Sequence, residues 1–186
     1  MTLHQLLIHF YRLSPEFIVV GAIVASCVYL LLWRRYGSLR WFRIVVAAVL
    51  SLWVAVVLWS TVFNRSSGEN VLAQWVPLHS YRAVRNGGNR ELMRSNFMNI
   101  TMFYPGGLLT APFLSENCSI RVRLLMLLML SILLSLGIEL CQLCFALGNP
   151  EIDDVIHNTI GAKLGGICFF CGTFFILCKT KRSHQP

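Results

Sequence analysis

Five long stretches of the chain carry almost no charged residue, and polar segments separate them. A membrane-spanning helix needs about 20 mostly apolar residues. The stretches come close to this length and cover residues 17–33, 44–63, 97–114, 124–147 and 155–178. The pattern therefore predicts an all-α membrane protein. We expect a single transmembrane domain over residues 1–186, built as a bundle of about five transmembrane helices.

The third stretch differs from the others because Pro105, Gly106, Gly107 and Pro112 interrupt it. Proline lacks the N–H that a helix needs, and its ring clashes with the preceding turn. Irregular backbone at membrane depth is tolerated where it is buried in protein or lines a wet cavity. We therefore expect the third span to be broken by its prolines and glycines.

Composition favours a membrane protein over a soluble one. Apolar residues make up 56% of the chain and charged residues 13%, against roughly 45–50% and 25% in soluble globular domains. The net charge is +8, but the basic residues lie between the apolar stretches, where membrane topology places them. We therefore exclude nucleic acid as a partner.

The distribution of charge predicts the orientation of the bundle. Under the positive-inside rule, the basic gaps after the first and third stretches and the basic tail are cytoplasmic. The gap at residues 148–154 holds only acids and is expected outside. The N-terminus is then outside and the C-terminus inside. Residues 64–96 become an extracytoplasmic loop, and residues 1–15 an interfacial lead-in on the outer surface.

Two Cys-x-x-Cys pairs, Cys141 with Cys144 and Cys168 with Cys171, have the spacing of a zinc site. The helical rise places the two pairs about 12 Å apart in depth. Ligands of one zinc ion lie about 2.3 Å from it, so the pairs cannot share a metal. We predict that these cysteines pack between helices and that the chain binds no metal or cofactor.

Polar residues within or beside the predicted spans are candidates for a pocket, because such groups are costly in a bilayer unless they are paired or functional. The candidates are Asn99, Pro105, Glu139, Gln142, Asp153, Asp154 and Asn158. The linker between the fourth and fifth spans is short, so we expect their polar stripes to face each other, with Gly161 and Gly165 allowing close approach. Two interpretations remain open, hydrogen bonding between helices and a ligand or catalytic site.

Charged residues outside these stripes have their own alternatives. Arg82 and Arg85, in the long loop, are candidates for binding an anion above the pocket, or belong to a solvated arginine loop. His157 is a candidate proton acceptor or a structural residue. Lys163 lies on the side of its helix opposite Asp154, so we expect it to meet another helix or to extend toward the membrane surface.

Three blocks of sequence together resemble the VanZ-like family of small bacterial membrane proteins. Residues 99–109 read Asn-Ile-Thr-Met-Phe-Tyr-Pro-Gly-Gly-Leu-Leu, similar to the family's Asn-x-x-x-Phe-x-Pro-x-Gly-x-Leu segment. Glu139-Leu140-Cys141-Gln142 matches its Glu-x-x-Gln, and residues 151–161 contain the acidic pair followed by Asn-Thr-x-Gly. Trp75-Val76-Pro77-Leu78 corresponds to a weaker upstream element. The resemblance covers about residues 70–170, and the order and spacing of the blocks make it specific.

The resemblance implies a multi-pass protein of the bacterial plasma membrane, active in envelope physiology and low-level resistance to the lipoglycopeptide teicoplanin. Its implied partners are membrane lipids or a lipid-linked cell-wall precursor at the outer leaflet. Family members often carry an arginine just before the acidic block, where this chain has Gly148-Asn149-Pro150. The alternative is an intramembrane enzyme that modifies a lipid head group, with Asp154 or His157 as base and Glu139 as acid. Because no nucleophile motif accompanies these residues, we favour a non-enzymatic role.

Overall fold

The described part of the chain is helical throughout its long elements. The structure is a computed structural model that describes residues 14–65, 72–87, 91–115 and 117–182, with the backbone alone for 176–182. Within these ranges the α-helices are α1 (Pro15–Tyr36), α2 (Arg40–Leu58), α3 (His79–Arg85), α4 (Glu91–Thr110), α5 (Ile120–Cys144) and α6 (Ile152–Arg182). A π-helical turn, Trp59–Phe63, extends α2, and a 3-10 turn, Ala111–Phe113, follows α4. The predicted all-α fold is confirmed. Except for residues 14 and 15, the predicted lead-in lies outside the described residues.

Three segments of the described chain are long and apolar enough to cross a membrane: α1, α2 with its π-helical turn, and α5. They expose large apolar side chains, such as Phe17, Leu52 and Leu133, as helices that face lipid do. The more polar α4 and α6 lie between them and pack on each other along their length, with α2 and α3 against α4 and with α1 and α5 against α6. The count of five spans and the orientation stay predictions.

Glycines bring α4 and α6 into backbone contact. A Cβ at Gly107 would overlap the carbonyl of Ala162, and one at Gly161 would overlap the carbonyl of Ile100. A Cβ at Gly165 would also meet backbone atoms of α4. Gly161 and Gly165 therefore serve close packing, but against α4, whereas the sequence predicted α5 as their neighbour. At this contact α4 contributes Gly107, whereas Gly137 of α5 has no atom within 4 Å of an added Cβ.

The predicted break at Pro105 does not occur, since α4 continues to Thr110. Proline leaves the carbonyl of Thr101 without its helical donor, and the next carbonyl, that of Met102, accepts a 2.9 Å hydrogen bond from the indole N–H of Trp53 in α2. The absence of a side chain at Gly106 makes room for the same indole ring. Support from neighbouring helices is known to keep proline-containing membrane helices intact, and α2 supplies it here.

Two apolar cores fill the bundle, one toward each end. Leu30, Leu108, Ala111, Leu127 and Phe169 belong to the first, and Val57, Phe103, Ile138 and Ala162 to the second. Lys163 belongs to neither. It is exposed on the outer face of α6 beside the exposed Ile160 and Leu164, so the expectation that it meets another helix is not met within the described bundle.

Candidate functional site

The segment that precedes α3 is tied to the N-terminus of α6. The backbone N–H of Gln74 donates to the carbonyl of Pro150 at 2.9 Å, and the N–H of Ile152 donates to the carbonyl of Gln74 at 3.0 Å. The N–H of Leu72 donates to Oδ1 of Asn149 at 2.9 Å. These bonds hold α3 at the end of the bundle where α5 finishes and α6 begins. The predicted loop at residues 64–96 thus contains a docked helix and the first turn of α4.

Asp153 caps α3 from another part of the chain. Its carboxylate accepts hydrogen bonds from the N–H of Leu78, whose φ of 59° is left-handed, and from the N–H and the hydroxyl of Ser80. Nδ2 of Asn96 in α4 donates to the same hydroxyl at 2.8 Å. A carboxylate stabilises the exposed amides of a helix N-terminus. Asp153 is 1% exposed, so it anchors α3 and does not line an open pocket.

The hydrogen bonds also determine the charge of Asp153. Burial disfavours the ionised form, but the bonds from Ser80 and Leu78 together outweigh it and hold the pKa of Asp153 below its ordinary value of 3.8. A carboxylate that accepts several N–H and O–H donors shows this behaviour. Asp153 is therefore ionised at neutral pH as a fixed structural anion.

His157 is a structural residue in this arrangement. Its Nδ1 donates to the backbone carbonyl of Asp153, which can only accept, and its Nε2 forms a 2.8 Å hydrogen bond with the hydroxyl of Tyr81. The two rings stack with centroids 5.7 Å apart, and His157 is 1% exposed. Both ring nitrogens are occupied, which leaves neither open to abstract a proton from a ligand.

Two of the predicted pocket amides join helices. Nε2 of Gln142 donates to the carbonyl of Thr61 in the π-helical turn at 3.0 Å. Nδ2 of Asn158 donates to the hydroxyl of Ser135 in α5 at 2.8 Å. Both amide side chains are buried. For Gln142 and Asn158 the geometry thus favours hydrogen bonding between helices, one of the two interpretations that the sequence left open.

Glu139 and Asp154 form a different group, which we call the carboxyl pair. Glu139 is 2% exposed, and its Oε2 accepts a 2.9 Å bond from the N–H of Glu151. Asp154 and the Arg65 guanidinium lie within electrostatic range of it. The exposed Arg65 reaches the turn before α6, because a Cβ at Gly148 would lie 2.6 Å from its Nη1. The guanidinium of Arg65 thus places a positive charge beside Gly148-Asn149-Pro150, a segment that contains no basic residue of its own.

Asp154 lies just before the predicted fifth span, and its surroundings change the pKa of its carboxyl group. Burial raises its pKa, the neighbouring carboxylate of Glu151 adds to the rise, and Arg65 and Asn99 partly offset it, which brings the pKa to about 6. Desolvation and like charge are the two ordinary causes of such a shift. Since Asp154 is partly exposed, it can exchange protons with solvent or contact a ligand.

The other predicted residues take separate places. Asn99 lies beside Asp154, whereas Pro105 lies about 9 Å further along α4, at the level of the helix contacts. That these residues line one pocket stays a prediction. Arg82 donates from Nη2 to the carbonyl of Pro77 at 2.6 Å, and Arg85 is exposed at the end of α3. Both arginines lie in the last turn of α3, where basic side chains complement the helix dipole. Their role in anion binding stays a prediction.

Sequence reasoning passed over Arg65, Ser80 and Tyr81. The first follows an apolar span and looked like an ordinary loop cation, and the other two follow Pro77 in a polar stretch without periodicity. The hydrogen bonds of Ser80 and Tyr81 with Asp153 and His157 show what these two residues do. The position of Arg65 follows from its contact with Gly148. Among the residues that the structure describes, no group of three or more His, Cys, Asp or Glu side chains is placed to hold a metal ion.

Comparison with known proteins gives one match. A model of the family described as VanZ/LLP1 matches residues 41–176, which is more than half of the chain and includes Arg65, Glu139 and Asp154. No curated protein and no solved structure is significantly similar to the chain. The extent of the match and the three sequence blocks lead to one conclusion: the chain belongs to the VanZ/LLP1 family.

Proposed function

We propose that the protein acts in the envelope of a bacterial cell, as a multi-pass plasma-membrane protein that contributes to low-level lipoglycopeptide resistance. In this proposal it binds a lipid or a lipid-linked cell-wall precursor at the outer leaflet without chemical change. The carboxyl pair and Arg65 form the contact site. Binding there would alter what the drug can reach on the precursor.

One observation carries the proposal: a partly exposed carboxyl with a pKa near 6, Asp154, lies beside a buried carboxyl and an exposed guanidinium. The guanidinium fork matches a phosphate, and the carboxyls match amine or hydroxyl groups. A lipid-linked precursor offers both kinds of group. The family membership and the long apolar helices agree with a site at a membrane surface.

The test is the minimum inhibitory concentration of teicoplanin and of vancomycin in a susceptible host that expresses the protein. Wild type is compared with Glu139→Gln, Asp154→Asn and Arg65→Gln at matched membrane levels. Glu16→Gln is the matched control, because it removes one carboxylate from the exposed first turn of α1 and is not among the charged groups that act on Glu139 or Asp154. A double Arg82→Gln, Arg85→Gln variant tests the loop arginines.

We expect wild type and Glu16→Gln to raise the teicoplanin value alone, and each of the three site variants to abolish the rise. No rise with well-inserted wild type would contradict the proposed role. A rise that survives in Glu139→Gln and Asp154→Asn would contradict the proposed site. In the enzyme alternative Asp154 is the remaining candidate base, because both ring nitrogens of His157 are already hydrogen-bonded. This alternative predicts that lipid extracts from expressing and non-expressing cells differ in composition.

A further inference from the structure

The end of the bundle opposite the carboxyl pair holds an open cavity of about 1000 Å³. It lies between the C-terminal part of α1, the start of α5 and the second half of α6. Arg123 marks this end on α5 and Glu139 marks the other. The two residues are sixteen positions apart, which corresponds to about 24 Å at the helical rise. The cavity is therefore separate from the proposed ligand site.

The wall of this cavity is mostly apolar and includes several aromatic rings, and its charged groups have one sign. Trp33, Phe169 and Phe170 contribute rings to it, and the indole of Trp33 meets the ring of Phe169 edge-on at 5.5 Å. Among the lining residues that the structure describes, the charged ones are all arginines: Arg34, Arg43 and Arg123. An apolar wall with a cationic edge matches an amphiphile that carries an anionic head.

Two of these arginines are held in position by the wall itself. The guanidinium of Arg123 lies 4.9 Å from the ring centroid of Phe170, and its Nε is buried without a hydrogen-bond partner among the described residues. Arg43 donates from Nε to the carbonyl of Gly37 at 2.8 Å and lies over the Trp33 ring. Guanidinium groups fixed in this way are prepared to bind phosphate oxygens.

The rim of the cavity opens to the apolar surroundings of the bundle. Phe174 and Phe175 line it and are 64% and 70% exposed, and Ile120 on α5 is 47% exposed. An acyl chain can therefore enter from the side without leaving the membrane. Basic pockets between membrane helices bind anionic lipid head groups, and the volume lies at the upper end of the range of small-molecule sites.

We propose that this cavity is a binding site for an anionic phospholipid, with its phosphate between Arg43 and Arg123 and an acyl chain along the aromatic wall. The lipid belongs to the leaflet at the arginine-rich end, which the charge distribution predicts to be cytoplasmic. The site is independent of the carboxyl pair and of any precursor bound there.

The test uses the purified full chain in detergent, with phosphatidylglycerol as the probe and phosphatidylcholine of the same chain length as the neutral comparison. Native mass spectrometry measures the lipid bound to wild type, to Arg43→Gln with Arg123→Gln, and to Arg121→Gln. Arg121 is the matched control, since it is exposed, is two residues from Arg123 and does not line the cavity. Thr173→Trp fills the cavity without changing its charge.

We expect wild type to prefer phosphatidylglycerol, the double variant to bind it at least about tenfold more weakly, and Arg121→Gln to bind it as wild type does. Thr173→Trp should weaken binding as strongly as the double variant. Equal binding of both lipids, or equal loss in Arg121→Gln, would overturn the proposal. So would displacement of the lipid by millimolar inorganic phosphate, which would indicate a site for a free anion.

Discussion

The anchor formed by Asp153 gives a prediction whose size follows from its contacts. Asp153→Asn keeps the shape of the side chain but replaces one carboxylate oxygen with an NH₂ group. In the wild type one oxygen accepts from Leu78 and the other from both donors of Ser80. The amide of Asn can take either of two orientations. The favoured one places its oxygen where it keeps the two hydrogen bonds from Ser80, which leaves its NH₂ group facing the N–H of Leu78.

The variant then loses one charge-assisted bond and weakens two. A hydrogen bond to a charged group contributes about 1.5–3 kcal/mol, and we expect a total loss of about 3 kcal/mol in the docking of α3. Each 1.4 kcal/mol is a factor of ten in an equilibrium, so the population of undocked α3 should rise by about a hundredfold. Lowering the pH below the depressed pKa of Asp153 should have the same effect, because protonation also removes the negative charge.

Amide hydrogen exchange of the full chain in detergent micelles measures this opening. Peptides that cover residues 72–87 should lose protection in Asp153→Asn, while those from the contact between α4 and α6 keep theirs. Asp154→Asn is the control, since it makes the same substitution at the next residue, whose electrostatic neighbours include no residue of α3. If Asp153→Asn exchanges at residues 72–87 as Asp154→Asn does, the capping role is wrong.

Two further predictions concern the pH response and the helix contact. The pKa of Asp154 is raised to about 6, so the folded state holds this proton more tightly than the unfolded state, and stability falls as the pH rises from about 4 through 6. In a series of thermal melts at different pH, Asp154→Asn should show a smaller loss of stability between about pH 4 and 6 and should be more stable than wild type at pH 8. An unchanged loss of stability would contradict the raised pKa of Asp154. Gly107→Ala should destabilise the bundle by about 1–3 kcal/mol because the added methyl overlaps the Ala162 backbone. The matched Gly137→Ala, with nothing within 4 Å of its added carbon, should be neutral or stabilising by up to about 1 kcal/mol in the same melts, and equal effects of the two would refute the packing argument.

The five long helices could be predicted from the sequence because each contains a long apolar run, whereas α3 lies in a polar stretch that the sequence predicted to be a loop. The behaviour at Pro105 could not, because it depends on Trp53, a residue of another helix that donates to the carbonyl of Met102. Gly106 and Gly107 illustrate the same limit. In the sequence alone two adjacent glycines indicate a flexible backbone. In the structure, the absence of a side chain makes room for the indole ring at Gly106 and for the backbone of α6 at Gly107.

The two carboxyls of the candidate site could be predicted from the sequence, but Arg65 could not, and the arrangement could be predicted only in part. The helical stripe argument brought Glu139 and Asp154 together, since both lie near one hairpin. It assumed that Gly161 and Gly165 face the neighbour in sequence, and they face α4. The contacts of Asp153 with Ser80 and of Arg65 with the turn at Gly148 join residues more than seventy positions apart. No local periodicity records such contacts.

Asp153 and Asp154 show why position on the helix decides function here. Adjacent helical residues point about 100° apart, so the first carboxylate meets the amides of α3 and the second meets Glu139 and Arg65. One pKa is lowered by donors and the other raised by burial and like charge. In the proposed function Asp154 is the member whose charge a ligand would change, because a bound amine would lower its pKa and a bound phosphate near Arg65 would raise it. Loss of resistance in Asp154→Asn with intact protection at residues 72–87 therefore reports on the ligand. Loss of resistance in Asp153→Asn together with loss of amide protection at residues 72–87 would instead report on the docking of α3.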